Sequence, residues 1–371
     1  MKYSVYMLAA LVLVLESTSC KKTGSDSGIE VNAVAPTVVT SDATNINSTN
    51  ATIGGNITTD GGTIIKEAGV VYSTSSGVDT SKTRIPIYSN GGNFSTTLKD
   101  LSLLTKYYYK AYAINDKGLT YGAEKSFFVP VNGFNSSSEV AATNSVAYWA
   151  FQDSYIDSVS KVVGTANHAS SISFVTGKIG KAVQVASPGY INSNVGNTIA
   201  NLTSFTMVCW IQQPSSLASG PTTFMPFSLN KSGYSWEQTK FFMLFNNPDA
   251  SSKTYGKVGL MDQWFDKGQV WPGMLDGNWH QMTISYDGTS GAIRVYVDGN
   301  LLPESSTAAF NPQTNFGGAD SFTLGGPDDN AHTINGWMNS LSGNLDEFRT
   351  YNRVLTVDEV KALYALQSHG L

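Results

Sequence analysis

Four aromatic residues in the second half of the chain are the leading candidates for ligand contact. They stand among glycine, serine, asparagine, aspartate and lysine, outside any regular packing period. The apolar faces of such rings stack on the C–H faces of sugar rings, while the sugar hydroxyls need polar partners. The alternative is that the rings only cap the open ends of a sandwich. The predicted ligand-binding residues are Tyr234, Trp236, Trp264 and Trp271, with Asn246, Asn247, Asp249, Asp262, Gln263 and Asp266 as polar partners.

Other catalytic or metal chemistry has little support in the residues. No two histidines have the His-x-x-x-His spacing that would place both on one helix face for zinc. His280 lies inside a strand pattern and is predicted to be structural. Cys209 lies in an apolar strand pattern and is predicted to be a small core residue, because a catalytic thiol needs a base and exposure. A Gly-x-Ser-x-Gly nucleophile elbow does not occur.

The N-terminus has the pattern of a secretory signal over residues 1–19. A lysine is followed by an apolar run over 5–15, which is too short to span a bilayer of roughly 30 Å as a stable helix. The small residues before Cys20 resemble a bacterial lipoprotein cleavage box, which implies an acylated Cys20, a membrane anchor and a polar tether over 20–34. Ser17 stands where a leucine is usual in such boxes, so ordinary signal cleavage or a different cut site is the alternative.

The composition favours an all-β, extracellular protein and argues against nucleic acid as a partner. Only 14% of the 371 residues are charged and the net charge is −5. Nucleic-acid binding needs a basic stripe, which this thinly spread charge does not provide. Few segments have helical periodicity, and the length suits two or three domains.

Residues 35–130 are predicted to form a sandwich of about seven short strands. The strand that contains Tyr107 and Tyr109 resembles the closing half of fibronectin type III-like domains, in which a tyrosine corner is formed by one tyrosine; Tyr107, Tyr109 or both would serve. A tyrosine platform for a ligand is the alternative to this packing role. The resemblance implies a spacer domain, followed by a linker over 131–143 that is flexible in isolation.

Residues 144–367 contain the second predicted domain. A hairpin over 277–300 begins with a Trp-His pair and ends in Val-Tyr-Val-Asp-Gly, and Gly343–Leu355 looks like a closing strand before a short helix over 356–366. These motifs resemble laminin-G-like, concanavalin A-like jelly rolls. The fold class is therefore predicted to be all-β, an immunoglobulin/fibronectin III-like sandwich followed by a concanavalin A-like jelly roll. The predicted core tryptophans are Trp149, Trp210 and Trp279.

The resemblance to these jelly rolls also implies a structural calcium ion between the opening loop and the closing strand. Calcium requires hard oxygen ligands; Asp157 stands where the family's first ligand falls, and Asp346 stands near the last. Backbone carbonyl groups around Asn167 would complete the shell. The alternatives are that Asp157 caps a turn and that Asp346 pairs with Arg349 or Arg353.

Taken together, the anchor, the two domains and the loop aromatics resemble a surface lipoprotein of the Bacteroidota type. The resemblance implies non-catalytic polysaccharide binding by the jelly roll at the outer membrane, with outer-membrane uptake proteins as partners. A protein-binding adhesin is one alternative. A glycoside hydrolase of the concanavalin A-like superfamily is the other, but the Glu-x-Asp-x-x-Glu strand of such enzymes is missing. Asp346 and Glu347, adjacent on a strand, are expected to face opposite sides.

Overall fold

The structure is a computed structural model of the chain, and it confirms the all-β prediction. Within the described residues, strands predominate and the α-helices are short. No helix in this part of the chain has the length and apolar character needed to cross a lipid bilayer. Cys20 and the predicted signal lie outside the described residues. These residues are 32–215, 223–232, 239–246, 256–261, 263–265, 274–312, 316–334 and 338–371.

The N-terminal sandwich consists of two facing sheets. Its strands are β1 (Thr37–Thr40), β2 (Ala51–Thr59), β3 (Glu67–Ser73), β4 (Thr83–Ile87), β5 (Gly92–Leu98), β6 (Lys106–Asn115), β7 (Gly118–Tyr121) and β8 (Lys125–Phe128). One sheet has the order β1-β2-β5, and the other has the order β4-β3-β6-β7 with β8 also paired to β6. The inward side chains of both sheets form one hydrophobic core.

The tyrosines of β6 combine packing with backbone hydrogen bonds. The rings of Tyr107 and Tyr109 lie in the core of this sandwich. The Tyr107 hydroxyl accepts the N–H of Ser102 at 3.1 Å, five residues upstream, and the Tyr109 hydroxyl donates to the carbonyl of Ser41 at 2.8 Å. The bond to Ser102 has the form of a tyrosine corner. The fibronectin type III resemblance itself stays a prediction.

The C-terminal sandwich contains the remaining strands and all three α-helices of the described residues. Its first strands are β9 (Ser145–Trp149), β10 (Thr165–Asn167), β11 (Ile172–Thr176), β12 (Lys181–Val185), β13 (Tyr190–Asn192), β14 (Phe205–Gln212), β15 (Thr223–Asn230) and β16 (Thr239–Asn246). They are followed by β17 (Lys257–Leu260), β18 (Gln263–Phe265), β19 (Trp279–Tyr286), β20 (Ile293–Val297), β21 (Asn300–Leu301), β22 (Ser321–Leu324), β23 (Met338–Ser340) and β24 (Gly343–Tyr351). The helices are α1 (Gly196–Ala200), α2 (Asp329–Ile334) and α3 (Val357–Ser368).

Two eight-stranded sheets face each other in this sandwich, and we name them the α3 sheet and the α2 sheet after the helix that covers each outer face. The α3 sheet has the order β11-β12-β24-β14-β19-β20-β21, with β9 also paired to β24. The α2 sheet has the order β10-β13-β22-β15-β16-β17-β18, with β23 also paired to β15. One large core lies between them.

Strand β14 is buried on both faces because α3 covers the side that turns away from the core. Phe205, Met207 and Cys209 face the core between the sheets, and for Cys209 this confirms the predicted core position. Burial raises the pKa of the Cys209 thiol, which suits a core residue better than a nucleophile. Val208 packs in a second cluster with α3, and the Trp210 ring stacks on Tyr364 of that helix with 5.7 Å between ring centroids.

The prediction that three tryptophans belong to the core is confirmed for two of them. Trp149 and Trp210 are 0% and 2% exposed. For Trp279 the prediction is wrong, because this side chain is only half-buried. Trp279 is the first residue of β19, at the end of the α3 sheet. Its side chain therefore remains partly accessible to solvent.

In the hairpin of β19 and β20, the side chain of His280 lies between two aspartates. His280 Nδ1 lies 2.8 Å from the carboxylate of Asp298, and its Nε2 lies 3.2 Å from that of Asp276. The hydrogen bond with Asp298 is the main cause that raises the pKa of His280. Asp298 also accepts the N–H of Gln281, which joins the two strands of the hairpin. His280 is thus a structural residue, as predicted.

An ion pair lies buried between the α3 sheet and α3. Arg349 donates to Glu347 at 2.9 Å, and both side chains are almost fully buried. Glu347 also accepts hydrogen bonds from the Tyr148 hydroxyl of β9 and from the Gln367 amide of α3. The Gln367 carbonyl in turn accepts the indole N–H of Trp210 at 2.8 Å. The opening strand, the closing strand and the helix therefore share one polar network.

The segment predicted as a linker reaches the same network. Arg349 donates to the carbonyl and the hydroxyl of Ser137 at 2.7 and 3.0 Å. Asn132 donates to the carbonyl of Asp358 in α3, and Val131 and Val140 pack in the cluster beneath this helix. The segment therefore lies against the C-terminal sandwich over much of its length.

We expect Arg349→Met to lower the free energy of unfolding of the C-terminal sandwich by about 3–5 kcal/mol, because it leaves the Glu347 charge buried without its partner. The methionine keeps the aliphatic stem, so the loss reports the charge. Urea denaturation followed by tryptophan fluorescence measures the change. Lys181→Met, which removes a surface charge 4.0 Å from Asp153, is the control and should cost less than about 1 kcal/mol. Equal costs for the two variants would contradict the role of the network.

Candidate functional site

The structure describes one of the four predicted ligand-binding aromatics. Trp264 lies in β18, at the edge of the α2 sheet. Tyr234, Trp236 and Trp271 lie outside the described residues, as do Asn247, Asp249, Asp262 and Asp266 among the predicted polar partners. The structure does not test whether the four rings meet, so their shared site stays a prediction.

Trp264 projects from the outer face of the α2 sheet and is held by a neighbouring ring. Trp264 lies opposite Gly259 in the ladder, and Gly259 lies opposite Phe242, so all three positions share one face. The Phe242 ring occupies the space over Gly259, where an added Cβ would come within 2.2 Å of it. The indole packs edge-to-face on this ring, with 5.0 Å between centroids. Gly259 therefore makes room for an aromatic pair across three strands.

The exposure of Trp264 distinguishes it from the other aromatic side chains of the C-terminal sandwich. Its exposed fraction is 41%, and no other aromatic side chain in the described part of this sandwich is as exposed. An indole fixed by packing and open to solvent can contact a ligand with little loss of conformational entropy. Gln263, its neighbour in β18, accepts the N–H of Asn311 and ties this edge strand to the sandwich.

Asp157, the first predicted calcium ligand, has its carboxylate occupied by groups of its own turn and of β9. One oxygen accepts the N–H of Tyr148 at 2.7 Å and that of Val159 at 3.0 Å. The other accepts the N–H and the hydroxyl of Ser160. This is the turn-capping role that the sequence left open as the alternative. A cation at this carboxylate would have to displace these N–H donors.

Asp346, the second predicted calcium ligand, is fully buried against the turn that precedes β12. Its oxygens accept the N–H groups of Ile179 at 3.0 Å and Glu347 at 2.8 Å. Burial is the main cause that raises the pKa of Asp346 to about 8, and the adjacent Glu347 charge adds to it. No group of three or more His, Cys, Asp or Glu side chains in the described ranges is arranged to hold a metal. Calcium binding stays a prediction.

The expectation that Asp346 and Glu347 face opposite sides of their strand is wrong. Asp346 lies opposite Trp210, whose side chain faces α3, and Glu347 bonds Gln367 of the same helix. The cause is a β-bulge, at which Glu347 has a φ of 52° and the register with β14 shifts. Both carboxylates are therefore on the α3 side, but they are 0% and 2% exposed and closed to a substrate.

A cavity that the sequence analysis missed lies at one end of the α3 sheet, with a volume of about 380 Å³. Three carboxamide side chains, from β12, β14 and β24, contribute to its wall. The sequence does not reveal such a cavity, because polar residues on the outer face of a strand are common. Which of them lie side by side depends on how the strands pair. The lining residues are Gln184, Val185, Ala186, Gln212, Pro214, Gly277, Ser342, Gly343 and Asn344.

The sequence of this region matches a known family. Residues 186–361 match the profile of a laminin-G-type family described as the concanavalin A-like lectin/glucanases superfamily. The match falls within the predicted domain over 144–367, and the C-terminal region therefore contains a concanavalin A-like domain. No curated protein has a significant sequence match to the chain.

Several solved structures are similar to the chain. Domain 4 of AbnA, an extracellular arabinanase from Geobacillus stearothermophilus, in complex with arabinotriose, is 23% identical with a TM-score of 0.45 over 60% of this chain and 98% of that one. The receptor-binding domain of botulinum neurotoxin mosaic serotype C/D is 13% identical with a TM-score of 0.42 over 61% and 51%. Trypanosoma rangeli sialidase in complex with 2,3-difluorosialic acid is 12% identical with a TM-score of 0.39 over 70% and 42%.

We expect Asp346 to make the C-terminal sandwich less stable as the pH rises. Its folded pKa of about 8 lies above the unfolded value of 3.8, so the folded state holds the extra proton between these values. Stability contributed by this group falls between about pH 4 and pH 8, with a slope of up to about 1.4 kcal/mol per pH unit. Urea denaturation at pH 5 and pH 8 measures the difference. Asp346→Asn should reduce this difference in stability, whereas Asp153→Asn, at an exposed aspartate, should leave it unchanged. If Asp346→Asn shows the same difference as the parent, Asp346 is not the group that causes the pH dependence.

Proposed function

Because the C-terminal region contains a concanavalin A-like domain, we propose that this region binds carbohydrate without cleaving it. The observation that carries the proposal is the exposed, packed indole of Trp264 on the outer face of the α2 sheet. An apolar ring face next to solvent suits the C–H face of a sugar ring. The domain then functions as a glycan-binding module, and the N-terminal sandwich functions as its spacer.

The energetics of a single ring fit a polymer as the ligand. One stacked ring and a few solvent-exposed hydrogen bonds give about 4 kcal/mol, which corresponds to a millimolar dissociation constant. Such weak binding retains a ligand only when it is repeated along a chain. A polysaccharide offers this repetition, because each unit presents the same surface.

The burial of the conspicuous carboxylate pair supports a binding role over a hydrolytic one. Glycoside hydrolysis requires two carboxyl groups on either side of the scissile bond. Asp346 and Glu347 lie beneath α3 and the turn before β12, where they bond N–H groups and the Arg349 guanidinium. Their geometry suits structural support of the closing strand.

The proposal includes the location of the protein. The predicted signal and Cys20 support a lipid anchor at the outer membrane, with the tether and the N-terminal sandwich extending the glycan-binding module outward. Polysaccharide-uptake proteins of the same membrane are the proposed partners. Structural calcium, through Asp157 and Asp346, is retained only as a secondary proposal.

We expect the full chain to be retained by at least one polysaccharide and Trp264→Ala to weaken that retention at least about tenfold. Affinity gel electrophoresis against a panel of amylose, xylan, arabinan and polygalacturonate measures the retention. The matched control is Tyr88→Ala, since Tyr88 is 92% exposed on the N-terminal sandwich. Parallel gels with calcium or a chelator test the ion, and unfolding temperatures verify that each variant folds.

Three results would contradict the proposal. The release of reducing sugars during incubation would show that the protein hydrolyses the polysaccharide. Equal retention of Trp264→Ala and Tyr88→Ala would show that Trp264 does not contact the polysaccharide. The absence of retention by every polysaccharide would favour a protein ligand, as in an adhesin.

We expect Cys20→Ser to move the protein from the detergent phase to the aqueous phase in a Triton X-114 partition of expressing bacteria. Acyl chains on the cysteine contribute about 0.8 kcal/mol per buried methylene group, and more than one chain gives a stable anchor. Ser19→Ala, next to the modified residue, is the control and should remain in the detergent phase. A parent protein found in the aqueous phase would contradict the anchor.

A further inference from the structure

Three residues that line the cavity at the end of the α3 sheet belong to a row of side chains across four adjacent strands. Gln184 of β12 lies opposite Asn344 of β24, Asn344 lies opposite Gln212 of β14, and Gln212 lies opposite Trp279 of β19. Directly opposed residues of an antiparallel ladder project from the same face. Three carboxamides and one indole are therefore aligned on the outer face of this sheet.

Hydrogen bonds fix the middle of this row. The Asn344 amide donates to the carbonyl oxygen of Gln212 at 2.8 Å, and the Gln212 amide donates to the backbone carbonyl of Gly277 at 2.8 Å. The Asn344 carbonyl oxygen is buried without a hydrogen-bond partner. Gln184, at one end of the row, is exposed to solvent.

The chemistry of the cavity wall indicates an uncharged ligand with many hydroxyl groups. Every lining residue is neutral. Carboxamides both donate and accept hydrogen bonds, as sugar hydroxyls do, whereas an acidic glycan would require a cation to balance its charge. Val185, Ala186 and Pro214 provide apolar contacts, and Trp279 lies next to Gln212 on the same face. The volume of about 380 Å³ lies within the range of small-molecule sites.

We propose that this cavity is a second carbohydrate site, which binds a short segment of a neutral polysaccharide through Gln184, Gln212 and Asn344, with Trp279 as the stacking ring. It lies on the outer face of the α3 sheet, whereas Trp264 lies on the outer face of the α2 sheet. The inference extends the proposed function, because one sandwich then holds glycan on two opposite faces. It requires neither Trp264 nor the aromatic loops.

The test uses the full chain and blocks the cavity without removing its amides. Ala186→Trp places a large side chain in the cavity wall, and Thr176→Trp, at an exposed position of the neighbouring strand β11, is the control for an added surface tryptophan. Gln184→Ala removes an exposed amide and should fold even if Ala186→Trp does not. Isothermal titration with oligosaccharides of amylose, xylan, arabinan and polygalacturonate measures affinity and stoichiometry.

We expect Ala186→Trp to lower both the stoichiometry and the affinity for a neutral oligosaccharide, the affinity about tenfold, and Gln184→Ala to weaken binding in the same direction. Thr176→Trp should match the parent. Trp264→Ala should keep the binding that Ala186→Trp loses, and combining Trp264→Ala with Ala186→Trp should remove both sites.

The outcomes separate this inference from the proposed function. If Ala186→Trp and Gln184→Ala bind as the parent does while Trp264→Ala binds more weakly, the second site is overturned and the proposed function stands. If polygalacturonate binds as tightly as the neutral oligosaccharides and Ala186→Trp blocks it, the neutral class is overturned. If the parent binds no oligosaccharide in the panel, the second site and the proposed function both fail.

Discussion

The ion pair between Glu347 and Arg349 is the constraint on which the α3 side of the C-terminal sandwich depends. Two charges removed from water are tolerated only when hydrogen bonds surround both. These bonds come from Tyr148, Gln367 and Ser137, which belong to the opening strand, the terminal helix and the segment after the first sandwich. Parts distant in sequence must therefore be in place together. The same requirement fixes α3 over the middle of the sheet and leaves the sheet end, with its cavity, uncovered.

The sequence predicts the parts of this fold in which local pattern and environment agree. The hairpin of β19 and β20, the closing strand β24 and the short helix α3 all occur where predicted. Strand β15 was not predicted, because it is buried on both faces and has no polar alternation. Its ladder with β16 also shifts register in the stretch that contains Pro226. A strand with these properties is recognised only from its neighbours.

Of the two candidate sites, one could be predicted from the sequence and the other could not. Trp264 could be selected from the sequence, because an aromatic residue in polar surroundings has a local signal. The row of Gln184, Asn344 and Gln212 could not, since each is an ordinary outward polar residue until three strands are placed side by side. The bulge at Glu347 illustrates the same limit. A regular pleat would separate this carboxylate from Asp346, and only the pairing of β24 with β14 reveals that they share a face.

The positions left open by the two helices determine how the sandwich can contact a polymer. Helix α2 packs over Met225, Phe242 and Leu244 on one outer face, and α3 packs over the middle of the other. Among the described residues, both Trp264 at one sheet edge and the cavity at the end of the opposite sheet remain accessible. In our proposal, the two weak sites on opposite faces would bind separate stretches of glycan, so that binding at one would raise the local concentration of polymer at the other. Such an arrangement would increase the retention of a polymer without any tight single site, and the polymer could still be released.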